Sequence, residues 1–264
     1  MQSVHTAVPA GPATERTRRC LSILVPVYNE DRTISHLLTR LTGDTIPDSE
    51  VVVVNDGSSD RTAAELECWQ NTPGVKIIHH VKNRGKGAAI RTALAAAEGE
   101  YVVIQDADLE YDPADIPKLL ARLIAEEADI VYGSRYLSPT TRLPWSKFRV
   151  AVGCLNLLVR VLYGQRLTDE ATCYKMTRTD YLRAMCLVSD RFELCAEITA
   201  KACRLGLRFV EHPISYTPRT HQMGKKIGWR DVWPTVSTLI RLRFSADAAR
   251  APASSRARRA GQAL

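Results

Sequence analysis

The sequence predicts an α/β fold, a mainly parallel sheet with helices on both faces. Three observations carry this expectation. Short apolar runs alternate with amphipathic stretches through the first half of the chain. The runs are continuous in hydrophobicity, as in strands buried on both faces. After residue 140 the alternation breaks and longer helical segments take over.

The elements follow in order. Leu21–Val25 is a buried-strand run, and Ile34, Leu37, Leu38 and Leu41 follow at helical spacing. Glu50–Val54 is a second, Val-rich strand. Asp60 to Gln70 reads as a helix, with Ala63, Leu66 and Trp69 on one side. Val75–His79 is a third strand, Gly87–Ala97 an Ala-rich helix, and Tyr101–Ile104 a fourth strand. Pro113 opens a helix carrying Ile116, Leu119, Leu120 and Leu123, a common first-turn place for proline. Asp129–Tyr132 is a fifth strand. This rhythm gives a Rossmann-like sheet whose ligands bind at the C-terminal strand ends. Beyond it come an apolar helix over Trp145–Tyr163, a strand at Thr172–Met176 and a helix near Arg191–Leu205 stopped by Gly206. A strand at Arg208–Ser215 and a helix from Trp229 to Phe244 complete the set. Val150–Val159, the longest uncharged run of the first late helix, spans roughly 15 Å. That is half a bilayer's hydrocarbon core of about 30 Å.

The 264 residues suit one large domain over 20–244, between a disordered leader (1–19) and a disordered basic tail (245–264). Much of the net charge of +7 sits at those ends: Arg16, Arg18 and Arg19 at one, and Arg250, Arg256, Arg258 and Arg259 at the other. Such tails aid solubility or attract an anionic membrane face. No motif accompanies them that would point to nucleic acid. Residues 1–20 hold no apolar signal-peptide run. The 7 cysteines form no CxxC pair, which argues against a disulfide framework or zinc site and for a reducing cytosol.

The chemistry-bearing residues cluster at strand ends. QDADLEYDP (105–113) places Asp106 and Asp108 after the fourth strand, on one side of an extended chain. Two such carboxylates repel unless a cation joins them, and hard oxygens suit Mg²⁺ or Mn²⁺. Glu110 continues the i, i+2 series as a third ligand, directly or through water. The competing reading is a solvated acidic turn capping the next helix. VPVYNE (25–30) and VNDGSSDRT (54–62) end the first two strands. Asp56 suits a nucleobase or ribose hydroxyl, or begins a helix through an Asx-turn. In NRGKG (83–87), the glycines let backbone approach a ligand, and Lys86 reaches a base or phosphate; the Walker spacing is absent. Glu193, Glu197 and Lys201 read as a solvated helix face.

These motifs, with YGSRYL, occur in the order and approximate spacing of glycosyltransferase family 2. The later TDEATCYKMTRTD, RFELCAEITAKACRLGLRFVEHPISYTPR and GKKIGWRD resemble the polyprenyl-phosphate sugar synthases of the dolichyl-phosphate mannosyltransferase group. The resemblance covers residues 20–244. It implies a GT-A fold, with a nucleotide-sugar half (20–135) and an acceptor half (136–244) bearing interfacial helices. It also implies a GDP- or UDP-sugar donor, a divalent metal, inversion at the anomeric carbon and a polyprenyl-phosphate acceptor. By position, Pro26, Tyr28, Glu30, Val54 and Asp56 hold the nucleoside, and Asp106, Ala107 and Asp108 hold donor and metal. Glu110 falls where the family often has Gln, and Asn55 where an aspartate is common. Arg135, Arg219 and Lys225 fall on phosphate-binding positions. Asp169 is the leading base if the acceptor is a hydroxyl. A phosphate acceptor needs no base, because its second pKa is about 6; it needs cations, of which Arg135, Arg219, Lys225 and Lys226 are available.

Many relatives carry membrane spans after the catalytic domain, and none follows residue 244 here. Membrane contact then comes from the Trp145–Tyr163 and Trp229–Phe244 helices or from a partner protein, peripherally, on the cytoplasmic face. Three alternatives stay open: a soluble glycosyltransferase with a hydroxyl acceptor, a non-catalytic nucleotide-sugar binder, and a sugar-1-phosphate nucleotidyltransferase. The last needs a Gly- and Arg-rich loop after the first strand, which VPVYNE is not.

Overall fold

The computed structural model describes residues 20–43, 46, 48–138, 147–219 and 232–245. The strands are β1 (Leu21–Val27), β2 (Ser49–Asn55), β3 (Val75–His79), β4 (Tyr101–Ile104), β5 (Ile130–Ser134), β6 (Lys175–Arg178) and β7 (Phe209–Pro213). They form one sheet in the order β3-β2-β1-β4-β6-β5-β7. All pairings are parallel except those of β6, which runs antiparallel between β4 and β5. The helices are α1 (Ile34–Thr42), α2 (Thr62–Glu67), α3 (Lys86–Ala96), α4 (Ile116–Ala125), α5 (Lys147–Tyr163), α6 (Thr179–Ala184), α7 (Leu194–Leu205) and α8 (Val232–Phe244).

The pleat sorts the strand side chains between two cores. Ile23 and Val25 of β1, Val51 and Val53 of β2, and Val131 of β5 face α1 and α4, whose Ile34, Leu37, Leu38, Ile116, Leu119 and Leu123 cover them. Leu24, Val52, Val54, Val102, Ile104 and Tyr132 face the other way, against Ala89, Ile90 and Ala93 of α3, Leu155 and Val159 of α5, Ile198 of α7 and Leu239 of α8. Helices on both faces are what continuous apolar strands demand.

β1 pairs with β2 on one side and β4 on the other. The crevice at their C-terminal ends is a topological switch point, where open α/β sheets bind ligands. The motif residues converge there because each follows the end of β1, β2, β3 or β4.

The sequence places a strand at Thr172–Met176, whereas β6 begins at Lys175. A turn falls at 170–171, and Tyr174 already runs beside β5, its carbonyl accepting from Gly133 N at 2.8 Å. Gly206 ends α7 in the left-handed region (φ 64°), as expected of a C-terminal cap. Among the described residues, no helix is long and apolar enough to cross a membrane.

Candidate active site

Asp106 and Asp108 leave β4 on the floor of a cleft of about 340 Å³. Asp108 Oδ1 accepts from Glu110 N at 3.1 Å, and Leu109 between them takes φ 60°, an uncommon conformation for a branched side chain. Burial, then the charges of Asp106 and Glu110, push the Asp108 carboxyl up to about 7. Negative charge is thus crowded here, a donor set that suits a hard divalent ion with few protein ligands. Glu110, expected as a third ligand, is engaged elsewhere. Its Oε2 accepts from Tyr216 Oη at 2.6 Å and its Oε1 from Arg219 N at 2.8 Å. Among the described residues, no three His, Cys, Asp or Glu side chains gather into a metal-ligand group.

Lys86 opens α3 from the neighbouring wall. Its Nζ lies 2.5 Å from Asp106 Oδ1 and 3.0 Å from Cys173 Sγ. Burial works against this ammonium, but Asp106 outweighs it and holds the charge well above the usual lysine range. The loop carrying Lys86 is organised by Asp56. Its carboxylate accepts from Arg84 N (3.0 Å), Gly85 N (2.7 Å) and the imidazole Nδ1 of His80 (2.7 Å). Asp56 is 2% exposed but still lines the cleft. It is therefore a loop anchor first, and a ligand contact only through its remaining lone pairs. A Cβ on Gly87 would meet Ser189 O at 2.4 Å, so only glycine admits the close packing of this loop on the 189–191 segment.

The opposite wall is built on Arg135. Its Nε and Nη2 each lie 2.7 Å from an oxygen of Asp169, and its backbone N donates to the same carboxylate at 3.0 Å. The rings of Tyr216, Phe148, Tyr111 and Tyr136 surround the guanidinium at 5.2–6.0 Å. Asp169 is fully buried and is not among the cleft-lining residues. Both of its oxygens grip Arg135.

Arg219 follows β7 and crosses the cleft as a strap. Its Nη1 meets Glu30 Oε2 at 2.9 Å, and its Nε donates to Asp108 O at 2.6 Å. Nη2 is buried and has no partner among the described residues.

Of the site residues expected from the sequence, Pro26, Tyr28, Glu30, Asp56, Lys86, Asp106, Ala107, Asp108, Glu110, Arg135 and Arg219 all line the cleft. Val54 does not: its side chain is 0% exposed in the core, because the pleat turns it toward α3. Lys225 and Lys226 lie outside the described residues. Sequence reasoning missed Tyr111, Phe148, Arg191, Phe192 and Tyr216, which complete the walls. Tyr111 adjoins the acidic motif, and Arg191-Phe192 opens RFELC, so a signal was present without a stated role. Glu197 and Lys201 are buried rather than solvated. Glu197 accepts from Lys201 Nζ (2.5 Å), Val188 N (2.9 Å) and Ser189 N (2.8 Å), holding the segment that packs on Gly87.

Residues 22–185 match the family model described as Glycosyl transferase family 2. An undecaprenyl-phosphate mannosyltransferase of Micrococcus luteus is 31% identical over 208 residues, covering 74% of this chain and 83% of that protein. An undecaprenyl-phosphate 4-deoxy-4-formamido-L-arabinose transferase of Edwardsiella ictaluri is 29% identical, covering 80% of this chain but only 64% of its own length. In fold, the chain is similar to glucosyl-3-phosphoglycerate synthase from Mycobacterium tuberculosis, solved with Mn²⁺, uridine-diphosphate and phosphoglyceric acid. The TM-score is 0.63 at 19% identity, over 87% of this chain and 80% of that one. A family match across more than half the chain, on a sheet of this topology, places the chain in glycosyltransferase family 2.

Proposed function

We propose that this glycosyltransferase moves a sugar from a nucleoside-diphosphate sugar to the phosphate of a polyprenyl lipid, working at a membrane surface. The observation that carries the reading is the Arg135–Asp169 pair. Asp169, the base the resemblance offers for a hydroxyl acceptor, is buried outside the cleft lining and held on both oxygens by a cation. A hydroxyl acceptor needs a base, whereas a phosphate is already nucleophilic and needs cations to approach a diphosphate. Arg135 is such a cation, lining the cleft while Asp169 fixes its guanidinium from behind. The acceptor named for the Micrococcus luteus relative is likewise a polyprenyl phosphate.

Pro26, Tyr28, Glu30 and Asp56 form the wall that takes the nucleoside. Lys86 and Arg219 flank the place of the diphosphate, with Lys225 a further phosphate contact. Asp106 and Asp108 would hold a Mg²⁺ or Mn²⁺, which supplies positive charge to the departing diphosphate. Arg135, held by Asp169, draws the acceptor phosphate to the far side of the sugar, which gives inversion.

Two further features support a lipid acceptor. A side pocket of about 70 Å³ opens beside the cleft, walled by Phe148, Ala151, Val152 and Leu155 of α5 and by Val232 of α8. It suits the first isoprenoid units. On the outer faces, Val150, Leu157 and Val161 of α5 and Trp233, Ile240 and Phe244 of α8 are exposed at helical spacing. Exposed Arg149, Arg160, Arg241 and Arg243 lie among them. Apolar stripes with aromatics and cations suit a helix lying in the headgroup layer.

The test is donor consumption by the purified protein with Mn²⁺ or Mg²⁺ and a panel of GDP- and UDP-sugars. Polyprenyl phosphate is expected to stimulate nucleotide release and to carry the sugar into organic solvent. Transfer only to soluble hydroxyl acceptors would favour a soluble enzyme instead, and donor binding without turnover a sensor.

A further inference from the structure

Residues 186–190, between α6 and α7, belong to no helix or strand, and side chains take up several of their backbone groups. Glu197 does so from α7: its carboxylate accepts from Val188 N at 2.9 Å and from Ser189 N at 2.8 Å. Lys201, one turn on, meets the same carboxylate at 2.5 Å and donates to Cys186 O at 2.9 Å. Arg91 of α3 holds the segment from the other side, donating to Ser189 O and, at 2.6 Å, to Asp190 Oδ1. Asp190 O in turn accepts from Ala88 N at 3.1 Å. The segment thus closes over the loop that carries Lys86. Gly85 lies at φ 102°, and a Cβ there would meet Asp190 O, as one on Gly87 would meet Ser189 O. Directly after the segment, Arg191 and Phe192 line the cleft, and the centre of the Phe192 ring is 5.7 Å from Lys86 Nζ.

We propose that Glu197 and Arg91 are positioning residues for the donor site, acting from opposite sides of residues 188–190 to fix the Lys86 ammonium beside Asp106. The Glu197 side chain is 0% exposed and that of Lys201 9%. A buried ion pair is a weak source of net stability, because desolvating two charges offsets their attraction. Apolar residues of the same volume would fill that space, but they could not direct Val188 N and Ser189 N. The carboxylate is accounted for by the geometry it sets. The Lys86 loop is held before the lysine by Asp56, through Arg84 N and Gly85 N. The 188–190 segment holds it after the lysine, at Gly87 and Ala88. Released from that segment, the first turn of α3 can shift, and a misplacement of about 1 Å is costly to a preorganised site. The consequence for the donor rests on the reading of Lys86 as a diphosphate contact.

Two variants test this in the full-length protein. Glu197→Gln removes the charge that Lys201 and the two amides share. Arg91→Gln opens the opposite side, and its side chain is 26% exposed, so the change spares the core. Calorimetry follows UDP and GDP binding with Mn²⁺, steady-state assays use whichever GDP- or UDP-sugar the parent consumes, and hydrogen exchange is read peptide by peptide. In both variants nucleotide affinity is expected to fall roughly tenfold, the scale of one charge-assisted hydrogen bond. Donor KM is expected to rise with kcat near that of the parent, as loss of uniform binding does. Exchange is expected to quicken over residues 84–92 while α1 keeps its protection. Arg91→Lys, which keeps a cation opposite Asp190, is expected to recover part of the affinity. Parent-like affinity in either glutamine variant overturns the proposal. So does exchange that quickens equally in α1 while kcat falls, since that marks a general loosening of the fold. A parent that binds neither nucleotide counts against the donor reading, and exchange over 84–92 still decides whether the segment positions the loop.

Discussion

Replacing Asp169 tests whether it positions Arg135 or accepts a proton. The Asp169 side chain is 0% exposed and that of Arg135 5% exposed, so neither partner can turn to water. Removing one member of a buried pair leaves an uncompensated charge, at a cost of about 3–5 kcal/mol. Burial opposes the Arg135 charge while Tyr111 and Asp169 sustain it, so the loss falls on a guanidinium that stays protonated. In a chain of this size, each kcal/mol lowers Tm by roughly 2–4 °C. Asp169→Ala is therefore expected to melt roughly 6–20 °C earlier. Asp169→Asn keeps the shape but turns an amide donor toward a guanidinium donor. It forfeits one charge-assisted bond, about 1.5–3 kcal/mol. In both variants kcat is expected to fall, because Arg135 is no longer held, while donor KM stays near that of the parent. The assay is calorimetric Tm alongside steady-state transfer across pH. If Asp169→Asn melts with the parent and small exogenous carboxylates restore the activity of Asp169→Ala, Asp169 is a base and the positioning argument fails.

Two more outcomes follow from the same structure. Burial works against the Glu197 carboxylate, but Lys201, Ser189 and Val188 outweigh it and hold it below its ordinary value of 4.5. Its contribution is thus fully present above about 4.5 and is lost as pH falls through the lower folded value; Glu197→Gln is expected to flatten that acid limb in denaturant melts, and an unchanged limb counts against it. At the membrane face, Trp233→Glu with Phe244→Glu is expected to abolish co-sedimentation with anionic liposomes, since burying each ring is worth about 1.5–3 kcal/mol; binding that survives the pair, or that ignores added salt, removes α8 from the membrane contact.

The sheet was legible because strands buried on both faces are continuous apolar runs, and the cleft because its carboxylates follow those runs directly. What stayed hidden depended on contacts distant in sequence. Nothing local says that β6 enters antiparallel between β4 and β5, or that Thr172–Tyr174, good strand formers, stop short of the strand. Glu197 and Lys201 have the spacing of a surface pair; only the packing of residues 186–190 over α7 buries them. Asp169 was singled out, yet its spacing from Arg135 could not announce a bidentate grip. Val54 entered by resemblance, and the pleat assigns its side chain to the core.

The charges of the cleft would favour a donor and a metal that bind together. Among the described lining residues, five carboxylates (Glu30, Asp56, Asp106, Asp108 and Glu110) face four cations (Lys86, Arg135, Arg191 and Arg219), a formal net of −1. Three of the cations are already matched: Lys86 by Asp106, Arg135 by Asp169 and Arg219 by Glu30. A diphosphate would add negative charge to a low-dielectric cleft that has little positive potential to spare. Asp108, raised to about 7 by burial and its acidic neighbours, marks where the deficit is greatest. A divalent ion held by Asp106 and Asp108 would reverse the local sign. Lys86 and Arg219 can then exchange their carboxylate partners for phosphate oxygens. Arg219 is suited to that exchange, since its Nη2 has no partner among the described residues and its strap is pinned by the backbone of Thr217 on Glu110 O rather than by the ion pair alone. Glu110 thereby anchors the strap, through Tyr216 Oη and the backbone N–H groups of Thr217 and Arg219.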